Sequence, residues 1–295
     1  MTADSTTRSP APRVSVVVPA YNNAAYIEKT IDSILAQTFE DFELVVSDHS
    51  STDGTWDVLQ RYRDEPRTRL VRTEAGGGAR RNWNRVSQLA RGELVKLVCG
   101  DDLLAPTCLE RQVRAFDEGG SDVVLVASQR DIVDARGKPF IRARGLARLD
   151  GVVDGKRALR ETVRAGGNIF GEPACVLMRR DALERAGWWQ DLRYFIDAGS
   201  YAHVLVQGDM VAVRESLAAF RVSASQWSVR LARQQAQEAA EFHRLAQGMA
   251  PDAVRDTDVR QGDRRAALAA FQRRVVYLLL GRRMQPTETS ATTPR

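Results

Sequence analysis

Runs of β-branched and aliphatic residues, broken by polar turns, set the pattern of the first hundred positions. Val14-Ser-Val-Val-Val18 stops at Pro19 and reads as a buried strand. Over residues 25–37, Ile27, Ile31, Ile34 and Leu35 recur at helical spacing, which predicts an amphipathic helix. Phe42-Glu-Leu-Val-Val46 is a second strand running into Ser47-Asp48, and Thr52-Asp-Gly-Thr55 opens a helix through Tyr62. Leu70-Val71 predicts a short third strand, and residues 79–90 a helix ended by Gly92. Leu94-Val-Lys-Leu-Val98 is a fourth strand that runs straight into Gly100-Asp101-Asp102. Such strand–helix–strand repetition implies an α/β chain with a parallel, doubly wound, Rossmann-like sheet. The first half therefore looks like a nucleotide-binding unit.

Further on, residues 123–127, 173–178 and 211–213 read as strands, and residues 155–165 and 181–186 as helices. The pattern turns helical beyond residue 229, through residue 247 and again over residues 264–280. Residues 1–12 and 284–295 are rich in Thr, Ser and Pro and are expected to be disordered tails. The expected organisation is thus a first half over residues 13–105, a second half over 106–228, and C-terminal helices over 229–283.

Net charge changes the picture only modestly. The chain carries +5 with a pI near 9.4, almost all of it from arginine. That excess suits phosphate-bearing ligands or an anionic membrane surface, and it is too evenly spread for nucleic acid. Cys99, Cys108 and Cys175 show neither zinc spacing nor a CxxC pair, and reduced thiols place the expected home in the cytoplasm. Neither a signal peptide nor an apolar run of membrane-spanning length is visible. Residues 264–283 hold Leu268, Phe271, Val275 and Leu278 among arginines, a basic amphipathic helix. It is expected to pack on the catalytic core, with peripheral contact to the inner face of the membrane as its second reading.

In open parallel sheets ligands bind beyond the carboxyl ends of the strands, and Asp48, Asp101 and Asp102 fall there. Asp48 either accepts an N–H from a pyrimidine base or caps the turn that follows it. Adjacent acids such as Asp101-Asp102 repel one another unless a cation holds them, and Mg²⁺ or Mn²⁺ prefers such oxygens. His49, His203 and His243 form no zinc-ligand spacing, and Gly76-Gly-Gly78 fits no phosphate-loop pattern. Trp188-Trp189 either stacks on an acceptor sugar or belongs to the core.

Taken together, Val14-Ser-Val-Val-Val-Pro-Ala-Tyr-Asn22, Ser47-Asp-His-Ser-Ser-Thr-Asp-Gly-Thr55 and Gly100-Asp-Asp102 resemble the family 2 glycosyltransferases with a GT-A fold. The likeness continues through Ala79-Arg-Arg-Asn-Trp-Asn84, Gly171-Glu-Pro-Ala174, Phe195-Ile-Asp197, Phe220-Arg221 and Ser223 to Ser228. It implies an inverting transferase that moves a sugar from a UDP- or dTDP-sugar to an acceptor hydroxyl. It further implies that Pro19, Ala20 and Tyr21 rim the nucleotide pocket and that Asp48 meets the base. Asn82 with Arg81 or Arg80 would face the donor, Asp101 the ribose, and Asp102 a Mn²⁺ or Mg²⁺ ion. Asp197 would be the catalytic base of the acceptor half, with Glu172, Trp188 and Arg221 towards the sugar or acceptor. Two departures stand out: Cys99 replaces the first acid of the common Asp-x-Asp-Asp, and no glutamate precedes Asp197. A degenerate nucleotide-binding module and, more remotely, a sugar nucleotidyltransferase are the competing readings; Pro19-Ala-Tyr-Asn-Asn23 lacks the latter's Gly-rich activating loop.

Overall fold

A computed structural model describes residues 11–192, 195–222 and 235–279, with side chains through residue 272. The tails beyond residues 11 and 12, and the Ser223 to Ser228 part of the resemblance, lie outside the described residues.

Four parallel strands form one side of the sheet, in the order β3 (Thr68–Arg72), β2 (Phe42–Asp48), β1 (Val14–Ala20), β4 (Leu94–Leu97). Residues of β1, β2 and β4 are buried throughout, as their unbroken apolar runs require. Helices α1 (Ile27–Leu35), α2 (Thr55–Leu59, extended by a 3₁₀ turn) and α3 (Gly78–Gln88) make the crossovers. This half matches the expected elements to within two or three residues at their ends.

The first half is parallel as expected, and beyond β4 the sheet becomes mixed. Next to β4 comes β9 (Val176–Arg179), antiparallel to it and to β6 (Val123–Val133); β10 (Asp209–Arg221) then runs parallel to β6. Short β5 (Leu103–Leu104) closes the order against β10, while β7 (Pro139–Arg144) and β8 (Gly151–Val153) pair with β6 and β10. Residues 173–175 form a 3₁₀ turn begun by Pro173, so β9 starts only at Val176. Strand β10 is far longer than residues 211–213. Register shifts on either side of Ser216 let polar Arg214-Glu215 bulge without ending the pairing.

Helix α4 (Cys108–Gly119), not anticipated from the sequence, buries Cys108, Leu109, Gln112, Val113 and Phe116 on one face. Helix α5 (Gly155–Ala165) matches its expected bounds: Asp154 Oδ1 accepts from Arg157 N at 2.7 Å, and Gly166 closes it at φ 80°. After α6 (Arg180–Arg185), helices α7 (Ile196–Leu205), α8 (Gln235–Met249) and α9 (Asp256–Leu279) pack with α5 around a second core. Phe195 stacks on Phe242 there, with ring centroids 5.5 Å apart. The main core runs unbroken through both halves of the sheet.

Helix α9 packs on the core as expected, but not through the first residues of the expected apolar face; the side chains of Val275 and Leu278 lie outside the described residues. Ala266 and Ala270 meet the core, whereas Leu268 and Phe271 are 57% and 65% exposed. Small residues let α9 approach α5 closely, and Gly262 sits directly against the Val163 carbonyl.

Candidate active site

Carboxyl ends of β1 and β2 are tied together before any ligand arrives. His49 N donates to Ala20 O at 2.9 Å, and buried Asn82 donates from Nδ2 to Ala20 O and Ser47 O, each at 3.3 Å. Asn82 thus holds the strand ends rather than facing a donor with its amide nitrogen. Of the three residues expected at the rim, Pro19 and Ala20 are buried within β1 and Tyr21 is 57% exposed. Its ring meets His49 edge-on at 6.1 Å.

Asp48 is fully buried. Its Oδ2 accepts from Ser51 N at 3.3 Å and lies 3.3 Å from Arg72 Nε, while Oδ1 has no donor among the described residues. Arg72 is the register partner of Asp48 across β2 and β3, and its guanidinium also lies over Trp56 at 5.4 Å. Beside them a cavity of about 660 Å³ is lined by His49, Arg72, Arg80, Arg81 and Arg85 among others. Arg81 Nη1 donates to Ala75 O and Gly76 O at 3.3 Å each, and His49 Nε2 lies 2.8 Å from Gly76 O. Of the arginines expected near the phosphates, Arg81 is therefore held by the glycine loop that begins α3, whereas Arg80 Nε donates to Trp189 O at 3.2 Å and its Nη1 pairs with Asp191 at 3.3 Å.

Asp101 and Asp102 occupy the turn between β4 and β5. Thr30 Oγ1 donates to Asp102 O at 2.8 Å, and Gly100 lies so close to Asn23 that any Cβ would clash. Arg221 N donates to Asp102 Oδ1 at 3.2 Å, and Arg221 Nε donates to Asp101 O at 2.9 Å. Only 1% exposed, Arg221 also donates to Ala135 O at 3.1 Å and covers the Tyr26 ring at 4.7 Å. Expected at the sugar, Arg221 braces the acidic turn, with Nε and Nη1 donating to backbone carbonyls. Burial, then the charges of Asp101 and Glu172, hold Asp102 well above the usual carboxylate range. Its Oδ2 is buried with no hydrogen-bond partner among the described residues.

Three chain segments bring acids to this turn. Cys99 lies within electrostatic reach of Asp102, Asp101, Asp197 and Glu172, and burial with those charges keeps it a neutral thiol. Glu172 begins the 3₁₀ turn and pairs with Arg130 of β6, whose Nη2 donates to Oε1 at 3.1 Å. Gly171, at φ 92°, makes room for Arg130 and the Cys175 sulfur. Asp197 lies in the first turn of α7 behind Phe195, so it is not the N-cap. Asn168 Nδ2 donates to Asp197 Oδ2 at 2.8 Å and to Gly171 O at 2.8 Å. Half-buried Asp197 is pushed up to about 7, chiefly by desolvation and then by the Glu172 charge, against the N–H groups of Ala198 and Asn168. Trp188 is half-buried against the main core, and Trp189 is wholly inside it, donating from Nε1 to Ser87 Oγ at 2.8 Å.

Residues 15–187 match the model of glycosyl transferase family 2. The chain belongs to that family. This glycosyltransferase has the GT-A fold, with a nucleotide-type parallel half joined to a mixed half. It is 30% identical over 228 residues to the uncharacterized protein MT1568 of Mycobacterium tuberculosis, covering 75% of this chain and 70% of that protein. Other curated relatives are matched over 12% to 43% of their own length. Among solved structures, TarS 1-349 of S. aureus in complex with UDP-GlcNAc superposes with a TM-score of 0.65 at 20% identity, over 84% of this chain and 69% of that one. The mannosyltransferase PcManGT of Pyrobaculum calidifontis, in complex with GDP-Man and Mn²⁺, gives 0.61 at 20% identity, over 92% and 80%.

Arg72, Arg130 and Asn168, which contact Asp48, Glu172 and Asp197, were not anticipated from the sequence. Arg72 had a signal, since it ends a strand as Asp48 does. Arg130 and Asn168 had none, because neither belongs to a motif and both reach the acids only through tertiary contacts.

Proposed function

We propose that this transferase inverts configuration, moving a sugar from a UDP- or dTDP-sugar to an acceptor hydroxyl with Asp197 as general base. The observation that carries the reading is that Asn168 ties Asp197 to Gly171, the residue before Glu172, with Asp102 from a third segment within electrostatic reach of Glu172. Direct displacement needs a base opposite the leaving group, so acids from different segments suit it. A carboxylate near neutrality also matches the work: it is ionised enough to take a proton and basic enough to hold it. A binding module without turnover would need no such acid in its second half.

The donor set fits a divalent cation. Among the described residues, a buried oxygen of Asp102 has no hydrogen-bond partner, and no group of three or more ligating side chains occurs. That combination suits Mg²⁺ or Mn²⁺ held by one or two carboxylates and completed by substrate phosphates. Bound there, such an ion would offset the charge developing on the departing diphosphate. Asp101 would meet the ribose, and Arg80 or Arg81 at the start of α3 would attract phosphate oxygens. Tyr21 would cover the base, and Asp48 Oδ1, with no donor among the described residues, would accept the N3–H of uracil or thymine. Glu172, fixed by Arg130, would face the sugar, and Trp188 the acceptor.

Donor screening by thermal shift with Mn²⁺ identifies the sugar nucleotide, since a bound donor raises the melting temperature. NMR coupling constants of the product then read the anomeric configuration. Inversion is expected; retention would overturn the mechanism, and stabilisation by purine donors alone would overturn the role of Asp48.

A further inference from the structure

The inward stripe of α9 consists of Asp258, Gly262, Ala266 and Ala270, all buried against α5 and α8. At about 100° per residue, Arg260, Arg264, Leu268 and Phe271 lie within about 40° of the line opposite that stripe. All four are exposed, and Leu268 and Phe271 are two of only five large apolar side chains so exposed among the described residues. Arg260 and Arg264 share the walls of a cavity of about 490 Å³ with Arg265, Thr257 and Gln261, and no carboxylate among the described residues lines it. The acids of the same helix are taken up elsewhere. Asp258 pairs with Arg160, Asp263 with His243, and Asp256 accepts from Gln247. The outward face of α9 therefore combines two apolar side chains with cations that no described acid neutralises.

We propose that this face docks on a bilayer containing anionic phospholipids, with α9 lying in the interface. Lipid phosphates would occupy the arginine-walled cavity while Leu268 and Phe271 enter the acyl boundary. Charge decides between this occupant and a second copy of the chain. A two-fold contact through the same face would set Arg260 and Arg264 against themselves, whereas an anionic surface satisfies both the cations and the apolar pair. No described helix is long and apolar enough to cross a membrane, so the contact is peripheral.

Flotation of the full chain with phosphatidylcholine vesicles, with and without phosphatidylglycerol, tests the proposal. Binding is expected only when phosphatidylglycerol is present. Reversing Arg260→Glu and Arg264→Glu should weaken it by roughly fivefold per arginine. Leu268→Asp with Phe271→Asp should weaken it at least about tenfold. Melting temperature should hold in both variants because the four side chains face away from the core; should the aspartates unfold the helix, Leu268→Ser with Phe271→Ser gives the same reading. The proposal is overturned by an intact protein that ignores anionic vesicles, by equal binding to neutral ones, or by binding that survives both pairs of substitutions. A dimer by light scattering, dissolved by the Leu268 and Phe271 changes and indifferent to vesicles, would assign the face to a second copy.

Discussion

The two halves of the sheet place their functional groups by different means. In the parallel half, Tyr21, Asp48, Asp101 and Asp102 stand at or just past the carboxyl ends of β1, β2 and β4, and backbone topology alone puts them there. In the mixed half, Glu172 and Asp197 sit on a 3₁₀ turn and a helix start, aimed by Arg130 and Asn168. The lesson is that a residue placed by its backbone should be lost singly. A residue placed by other side chains should be lost with its neighbours.

Removing the acid at the centre of the mixed half should have the largest effect. Asp197→Asn should lower kcat by about 10²–10⁴ while leaving donor Kd unchanged. Asp197 titrates near 7 in the folded chain against an ordinary value of 3.8, so the native state holds a proton that the unfolded chain releases. Its burial costs stability as pH rises through that window, and asparagine removes the cost. The variant should therefore melt no lower than the parent at pH 8. In the parent, kcat/KM should climb as pH rises through about 7, and a flat profile would remove Asp197 from the base role.

Asp102→Asn tests the parallel half at its metal end. Turnover should fall by about 10²–10³ even with excess Mn²⁺, and EDTA should abolish the parent's activity. Full activity in EDTA would leave basic side chains to balance the diphosphate and would erase this part of the contrast.

Asp48→Ala probes a backbone-placed group with no chemical step to perform. It should weaken nucleotide binding by about 1–3 kcal/mol, measured calorimetrically, with kcat at saturating donor little changed. A drop in kcat with unaltered affinity would contradict its place at the base.

Asn168→Ala gives the smallest effect and the sharpest test of placement by neighbours. Losing one N–H donor to Asp197 should raise the pH at which kcat/KM begins to climb by about one unit. At pH 7 the rate should fall about fivefold, approaching about tenfold at lower pH. A merely structural asparagine would lower the melting temperature and leave the pH profile where it was.

Legibility follows the same division. Asp48, Asp101 and Asp102 were readable because an apolar strand followed by an acid places that acid at a sheet edge, whatever else the chain does. The roles of Arg221 and Asn82 were not. Both lie in family motifs, yet one guanidinium and one amide nitrogen donate to backbone carbonyls, and burial decides that, not identity. Helix α4 escaped notice even though Leu109, Val113 and Phe116 recur on its buried face, and β10 escaped because a polar bulge interrupts its pattern.

From its residues alone the chain set the alternation of apolar runs and turns, hence the parallel half and the acids at its edge. Those features depend on contacts a few residues apart and on burial of whole strands. Tertiary structure decided the insertion of β9 between β4 and β6, the tie that Asn168 makes between Asp197 and Gly171, and the outward turn of Leu268 and Phe271. Each depends on which distant surface is nearest: Glu93 and Val123 for Arg179 at the end of β9, Asn168 for Asp197, and the close approach of Gly262 and Ala266 for α9. A one-dimensional pattern records that a side chain is apolar or charged. It does not record which neighbour desolvates it, and desolvation is what turns a surface aspartate into a base near pH 7.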